Sequence, residues 1–185
     1  ACGYEIAPAT GPEANTTIQV PAGVTLTFYK TTGFDENGYD TFDGTSPLSA
    51  VYDAEANTYK LALIGGTYSF RGQDGEGKSL GGMTFDIADD AAETTYSLAK
   101  LTFYSTGTYN DANLAADAFD VDVRDGNNRR AAMGASYTDE SGRGCQPVLV
   151  YAGGNAELYN FKISAIGALA ETYGAAEIIN QAIFS

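Results

Sequence analysis

The chain has 185 residues, 44% hydrophobic and 18% charged, enough apolar material for one or two folded cores and too much for a disordered chain. Its 24 acidic against 10 basic residues leave a net charge of −14, a field that repels nucleic acid and anionic membrane surfaces. Histidine is absent, which excludes serine triads, Cys–His dyads and histidine-ligated zinc and leaves an enzyme only carboxylates, Tyr or Lys.

Residues 1–16, with Pro8, Gly11 and Pro12, read as a tail or linker. Ile18 and Val20 then share a face, and Pro21-Ala22-Gly23 turns the chain. In Val24–Lys30, Val24, Leu26 and Phe28 alternate with Thr25, Thr27 and Tyr29, the pattern of a half-buried strand. Residues 33–47 are rich in Asp, Gly and Asn and hold an Asn37-Gly38 turn pair, a long loop or hairpin tip. Strands follow at Ser49–Tyr52 and Tyr59–Ile64 around a turn at Asp53–Asn57. Gly65–Ile87 carries the strongest signal. Tyr68, Phe70, Phe85 and Ile87 alternate, Asp74-Gly75 marks a turn, and Gly72, Gly75, Gly77, Gly81 and Gly82 interrupt any helix. This stretch is expected to form a hairpin-like strand pair, with residues 89–94 as a polar joint.

Beyond the joint, LTFY at Leu26–Tyr29 recurs at Leu101–Tyr104, and YSFR at Tyr68–Arg71 recurs as YNFK at Tyr159–Lys162. Order is kept while the second spacing is longer, a difference that surface loops absorb at small entropic cost. A duplicated β unit is expected. Phe119, Val121 and Val123 alternate with Asp120, Asp122 and Arg124 in a further strand. Ala131–Ser136 and Pro147–Tyr151 are strand candidates around a loop at Thr138–Gly144. Residues 163–185 read two ways. Ile166, Leu169, Ala170 and Tyr173 recur at helical spacing, but Gly167 and Gly174 weaken a helix, and the repeat expects a closing strand near Ile178–Phe184.

The expected fold is all-β: two tandem antiparallel β-sandwich domains over 17–94 and 95–185, after a tail at 1–16. GTYSF, a Gly-containing turn and GMTFDI, together with VTLTFYK at Val24–Lys30, resemble strands of the prealbumin-like, CnaB-type, immunoglobulin-like repeats of Gram-positive cell-surface proteins. The resemblance covers about residues 17–90, and 96–185 more loosely. It places Lys30 where many such domains carry the lysine of an internal isopeptide bond. The glutamate that promotes that bond would fall at Arg71, Gly72 or Gln73, and Ser105 replaces the lysine in the second unit. No cross-link is expected, and Lys30 reads as a surface residue at a strand end.

Several constellations bear on chemistry. Asp35, Asn37, Asp40 and Asp43 share one Gly/Asn-rich loop and are candidate calcium ligands, although EF-hand spacing is not met. Asp120, Asp122 and Asp125 come close to such a set, but strand alternation already explains the first two. Apart from calcium no cofactor is expected. Tyr39, Tyr109 and Tyr137 lie in loop stretches, where exposed rings would stack on sugars. GQDGEGKS, residues 72–79, meets the P-loop spacing but is flanked by strand patterns with no helix to present its amides to phosphate, so nucleotide binding is rejected. Cys2 and Cys145 fit no metal or redox spacing. They form a disulfide, or Cys2 is a lipid-attachment site, or Cys145 is a buried thiol.

These features point to a non-catalytic extracellular surface module: a structural stalk, or an adhesin-type domain binding a host or cell-surface protein or glycan. It would be held at a Gram-positive-type cell wall or by a lipid anchor, with no transmembrane segment and no nucleic-acid partner. A carbohydrate-binding module is the alternative. A glycoside hydrolase using two carboxylates is a further one, for which the sequence selects no pair.

Overall fold

In a computed structural model of the chain, which describes residues 13–89, 93–105, 108–109, 112–113, 119–125, 127–142, 144–153, 160–165 and 180–184, the alternating stretches are strands. In chain order they are β1 Thr16–Gln19, β2 Thr25–Phe34, β3 Asp40–Phe42, β4 Val51–Asp53, β5 Thr58–Leu61, β6 Gly66–Gln73, β7 Ser79–Gly82 and β8 Thr84–Ile87. They continue as β9 Thr94–Ser105, β10 Thr108–Tyr109, β11 Ala112–Asn113, β12 Phe119–Arg124, β13 Ala132–Met133, β14 Tyr137–Thr138, β15 Gly144–Gly153, β16 Asn160–Ala165 and β17 Asn180–Phe184. No helix occurs among the described residues, and so none is long and apolar enough to cross a membrane.

One sheet runs β14-β15-β9-β1-β5-β4, with β17 also on β9; the other runs β13-β7-β6-β2-β3, with β8 on β6. Two short pairs, β10–β11 and β12–β16, lie outside these sheets. In β2 the expected alternation holds: Leu26 and Phe28 are buried while Thr25 and Thr27 face solvent. Tyr68 of β6 pairs in register with Phe85 of β8, the hairpin-like partnership expected around the Gly-rich stretch, and Phe28 of β2 pairs with Phe70 of β6. The sheets meet through rings: Phe28 of β2 packs edge-on against Tyr59 of β5 at 5.6 Å, and Phe85 of β8 lies 5.5 Å from Tyr96 of β9. The Tyr59 hydroxyl accepts the Leu26 N–H at 3.0 Å, so the contact is directional as well as apolar.

The expected boundary at residues 94 and 95 falls inside β9, and each sheet draws strands from both sides of it. β1 hydrogen-bonds in parallel to the start of β9, Thr16 opposite Thr94, while β13 adds to β7 through Ala132 and Gly82. A single cluster of buried side chains runs from Ile18 to Val150. The described strands on either side of residue 94 therefore form common sheets and one core. The first sheet is also mixed, not purely antiparallel. A parallel pair needs a long crossover, and β2 to β8 supply it. Thr16, placed by the sequence in the tail, is 1% exposed in β1, and the Asn15 side chain bridges both backbone groups of Leu63.

The duplication is not reproduced in the pairing. The LTFY of β2 lies beside the YSFR of β6, but the LTFY of β9 pairs with β15 and β17, and β16 pairs with β12. β9 and β15 instead pair through a buried central stretch. Leu101, Thr102 and Phe103, and Val148, Leu149 and Val150, are buried consecutively, so these central segments are covered on both faces. The expected closing strand is present as β17, whereas residues 166–179, where a helix was the other reading, lie outside the described residues.

Candidate functional site

The β6–β7 hairpin builds one wall of a groove. Its tip, Asp74-Gly75-Glu76-Gly77-Lys78, is closed by the Asp74 carboxylate, whose Oδ1 accepts the N–H groups of Glu76 at 2.8 Å and Lys78 at 2.9 Å. Gly77 sits at φ +82°, a backbone that only glycine adopts without cost. Gly72, just before the tip, lies where any side chain would strike Leu149 of β15. The glycines of the P-loop-like octet thus serve a turn and a close approach between strands. Ser79 starts β7, so no helix offers its N-terminus there.

The groove has two lobes. One, of about 180 Å³, is lined by Lys78, Lys100, Tyr137, Leu80, Ala135 and Pro147 beside Asp74, Glu76 and Ser79. The other, of about 200 Å³, lies against the β1–β2 turn at Pro21–Val24. Asp74, Leu80 and Lys100 line both. Each lobe is smaller than the roughly 300–1,000 Å³ of drug-sized sites, a space for one small ring. Tyr137 is 37% exposed, with the Lys78 Nζ 6.0 Å from its ring centre. Asp74 is held below the usual carboxylate range, chiefly by the Lys78 N–H; burial opposes this, while the Glu76 N–H and the charges of Lys78 and Lys100 add to it.

The other two tyrosines do not join Tyr137. Tyr39 lies in the turn beyond the far end of β2, with the Arg130 guanidinium 4.6 Å over its ring. Tyr109 is the second residue of β10.

The candidate calcium ligands do not converge. Asp35 Oδ1 accepts the N–H groups of Asn37 and Tyr39 within its own turn. Asp43 accepts from the Thr45 N–H and hydroxyl and from Ser46, which lowers its pKa, the Thr45 hydroxyl most. Asp40, its side chain 1% exposed, forms a forked ion pair with Arg71 of β6. The Asn37 backbone carbonyl accepts from Arg124. Asp122 pairs with Arg124 at 2.8 Å, and Asp125 Oδ1 closes its own turn on Asn127 and Arg129. Among the described residues no three His, Cys, Asp or Glu side chains gather as a metal site.

Cys145 is buried in β15 opposite Tyr104, while Cys2, its proposed partner, lies outside the described residues, as do residues 1–12 altogether. Lys30 is exposed within β2 rather than at its end, with Nζ on the Thr67 carbonyl at 3.1 Å and 4.8 Å over the Tyr68 ring.

Sequence reasoning missed two features. One is a repeated turn. Asp35-Glu36-Asn37-Gly38, Asp74-Gly75-Glu76-Gly77, Asp125-Gly126-Asn127-Asn128 and Asp139-Glu140-Ser141-Gly142 all place a residue of positive φ three after an Asp that accepts the N–H two residues on. The recurrence of Asp-x-x-Gly/Asn was the available signal. The other is an arginine–aromatic ladder along the β2–β3 hairpin. Arg129 lies 5.0 Å over Phe34, Arg130 over Tyr39 and Arg71 4.9 Å over Phe42, which stacks on Tyr29 at 4.4 Å. Arg129 also reaches Asp86 at 2.8 Å. The ladder joins the 122–130 segment to the β2–β3 hairpin, an adjacency set by the fold and not by sequence spacing.

No family model and no curated protein matches the chain. A solved structure of bovine butyrophilin aligns over 95% of each chain at 10% identity with a TM-score of 0.22, too slight a likeness to establish kinship.

Proposed function

We propose that this chain is a non-catalytic, extracellular binding module of structural or adhesive type, built on prealbumin-like, immunoglobulin-like sheet packing and displaying its ligand groove at the β6–β7 end. The observation that carries the reading is the groove itself. Two loops and a partly exposed tyrosine meet over a firmly paired two-sheet framework, the arrangement in which loops recognise and sheets hold them in place. Exposure of the Tyr137 ring favours a carbohydrate as the ligand, stacked by its C–H face. A glycan array probed with the chain and with Tyr137→Ala tests the reading. Signals that fall at least tenfold in the variant support it; an array with no Tyr137-dependent signal overturns it.

A further inference from the structure

Asn37-Gly38 is the single Asn-Gly step in the sequence, and it lies in an Asp-closed turn. Asparagine before glycine is the pair in which the next backbone nitrogen attacks the side-chain amide most readily, because no Cβ shields that nitrogen. The fold requires this glycine. Gly38 has φ +90°, and a Cβ there would stand 2.8 Å from Arg124 Nη1. The three other turns of this kind put Glu76, Asn127 or Ser141 at the same place, and Asn127 is followed by Asn128, not glycine. Asn37 is exposed, and its side-chain amide has no hydrogen-bond partner among the described residues. The backbone on either side restrains it. The Gly38 N–H donates to the Asp35 carbonyl at 3.1 Å, so the attacking nitrogen is occupied. The Asn37 carbonyl accepts from Arg124 Nη2 at 3.0 Å, and the Gly38 carbonyl accepts the Arg130 N–H at 2.8 Å. Arg124 is itself fixed by a fork on Asp122, at 2.8 and 3.2 Å.

We propose that Asn37-Gly38 is a deamidation site latched by Arg124. The reaction needs the turn to open, and the population of the open form sets its rate. The Gly38 nitrogen then loses its proton to solvent and bonds to Asn37 Cγ, the Cγ–Nδ2 bond breaks, and ammonia leaves. Water opens the resulting succinimide at either carbonyl, giving aspartate or isoaspartate at position 37. Solvent water is the only co-reactant. Isoaspartate carries the main chain through Cγ and so lengthens it by one methylene. That shifts the Gly38 carbonyl off the Arg130 N–H and unfastens the 122–130 segment from the β2–β3 hairpin.

The test incubates the full chain at neutral pH, folded and in urea, and follows every asparagine by peptide mapping, with electron-transfer fragmentation to tell isoaspartate from aspartate. Asn37 is expected to deamidate before any other asparagine of the folded chain, and at least tenfold more slowly than in urea. Arg124→Gln should speed the folded reaction at least threefold, while Lys60→Gln, a charge removed from the other sheet, should not. Loss of a nearby cation would by itself slow the step, since positive charge favours the deprotonated nitrogen, so acceleration reports the lost latch. Asp122→Asn, which loosens the fork under Arg124, should speed it too and serves where melts show that Arg124→Gln does not fold. In the isoaspartate-containing fraction the Arg130 amide should exchange faster with deuterium. Earlier deamidation at another asparagine of the folded chain overturns the site. Equal rates folded and in urea, or folded variants no faster than the parent, overturn the latch, and unchanged Arg130 exchange overturns the unfastening.

Discussion

Arg71 and Asp40 show how much of this molecule is held by single side chains. Asp40 is almost fully enclosed, and its carboxylate meets the guanidinium as a two-pronged fork, with Phe42 stacked behind. Arg71→Ala strands a buried carboxylate and is expected to cost about 2–4 kcal/mol, between the values for exposed and fully buried pairs because Arg71 is 26% exposed. Urea unfolding measures it, and Arg71→Lys should restore only part, since an ammonium cannot make the fork. Tyr96 gives a second prediction at this scale. Burial raises its pKa, helped by the Asp86 charge, while its hydroxyl donates to the Asp86 carbonyl at 2.7 Å. Burial raises Tyr68 in the same way. The folded state thus prefers the neutral phenols. Their contribution is whole below the unfolded value of about 10 and is lost as pH rises through the higher folded value. Melting temperature should fall above about pH 10, and Tyr96→Phe should flatten that fall.

At the scale of the element, the Asp-closed hairpin is the recurring device. In the β6–β7 tip Asp74 is held below the ordinary value of 3.8, as is Asp43 in the turn after β3. The stability this gives is present above that value and disappears as pH falls through the lower folded pKa. Asp74→Asn should show a shallower loss on acidification in melts between neutral pH and about pH 2. The glycines of the same tip separate backbone strain from packing. Gly77 and Gly75 both have open space where a Cβ would sit, but only Gly77 has positive φ. Gly77→Ala should destabilise by about 1–2 kcal/mol, while Gly75→Ala should stay within about 0.5 kcal/mol or gain slightly from a stiffer unfolded chain. Equal effects in denaturant melts would contradict this account of the turn.

For the whole molecule, the telling contact is β1 against β9. It binds the start of the described chain to the strand at which two domains were expected to divide. Residues 17–94 expressed alone would lose the parallel partner of β1, and with it Leu98, Leu101, Phe103, Val148 and Val150 from the shared core. That fragment is expected to give no dispersed amide spectrum, and the full chain is expected to melt in one transition. Most strands were legible in the sequence because alternation and turn pairs are local. Leu26 and Phe28 declared their face, and Asp74-Gly75 its hairpin. Tyr137 was legible as a ring in a loop stretch, but Lys78 and Lys100 were not legible as its neighbours. They lie on β9 and the β6–β7 tip, far from Tyr137 in sequence and brought together only by folding.

The amino-acid order by itself determined the all-β character, turns such as Asn37-Gly38 and Asp74-Gly75, and the inward side of alternating strands such as β2, because these follow from neighbours within a few residues. Which strand pairs with which, the parallel β1–β9 junction, the common core and the meeting of two lysines with a tyrosine were decided only in three dimensions. An apolar face declares that it must be covered. The partner that covers it is chosen by register, length and shared burial across the whole chain.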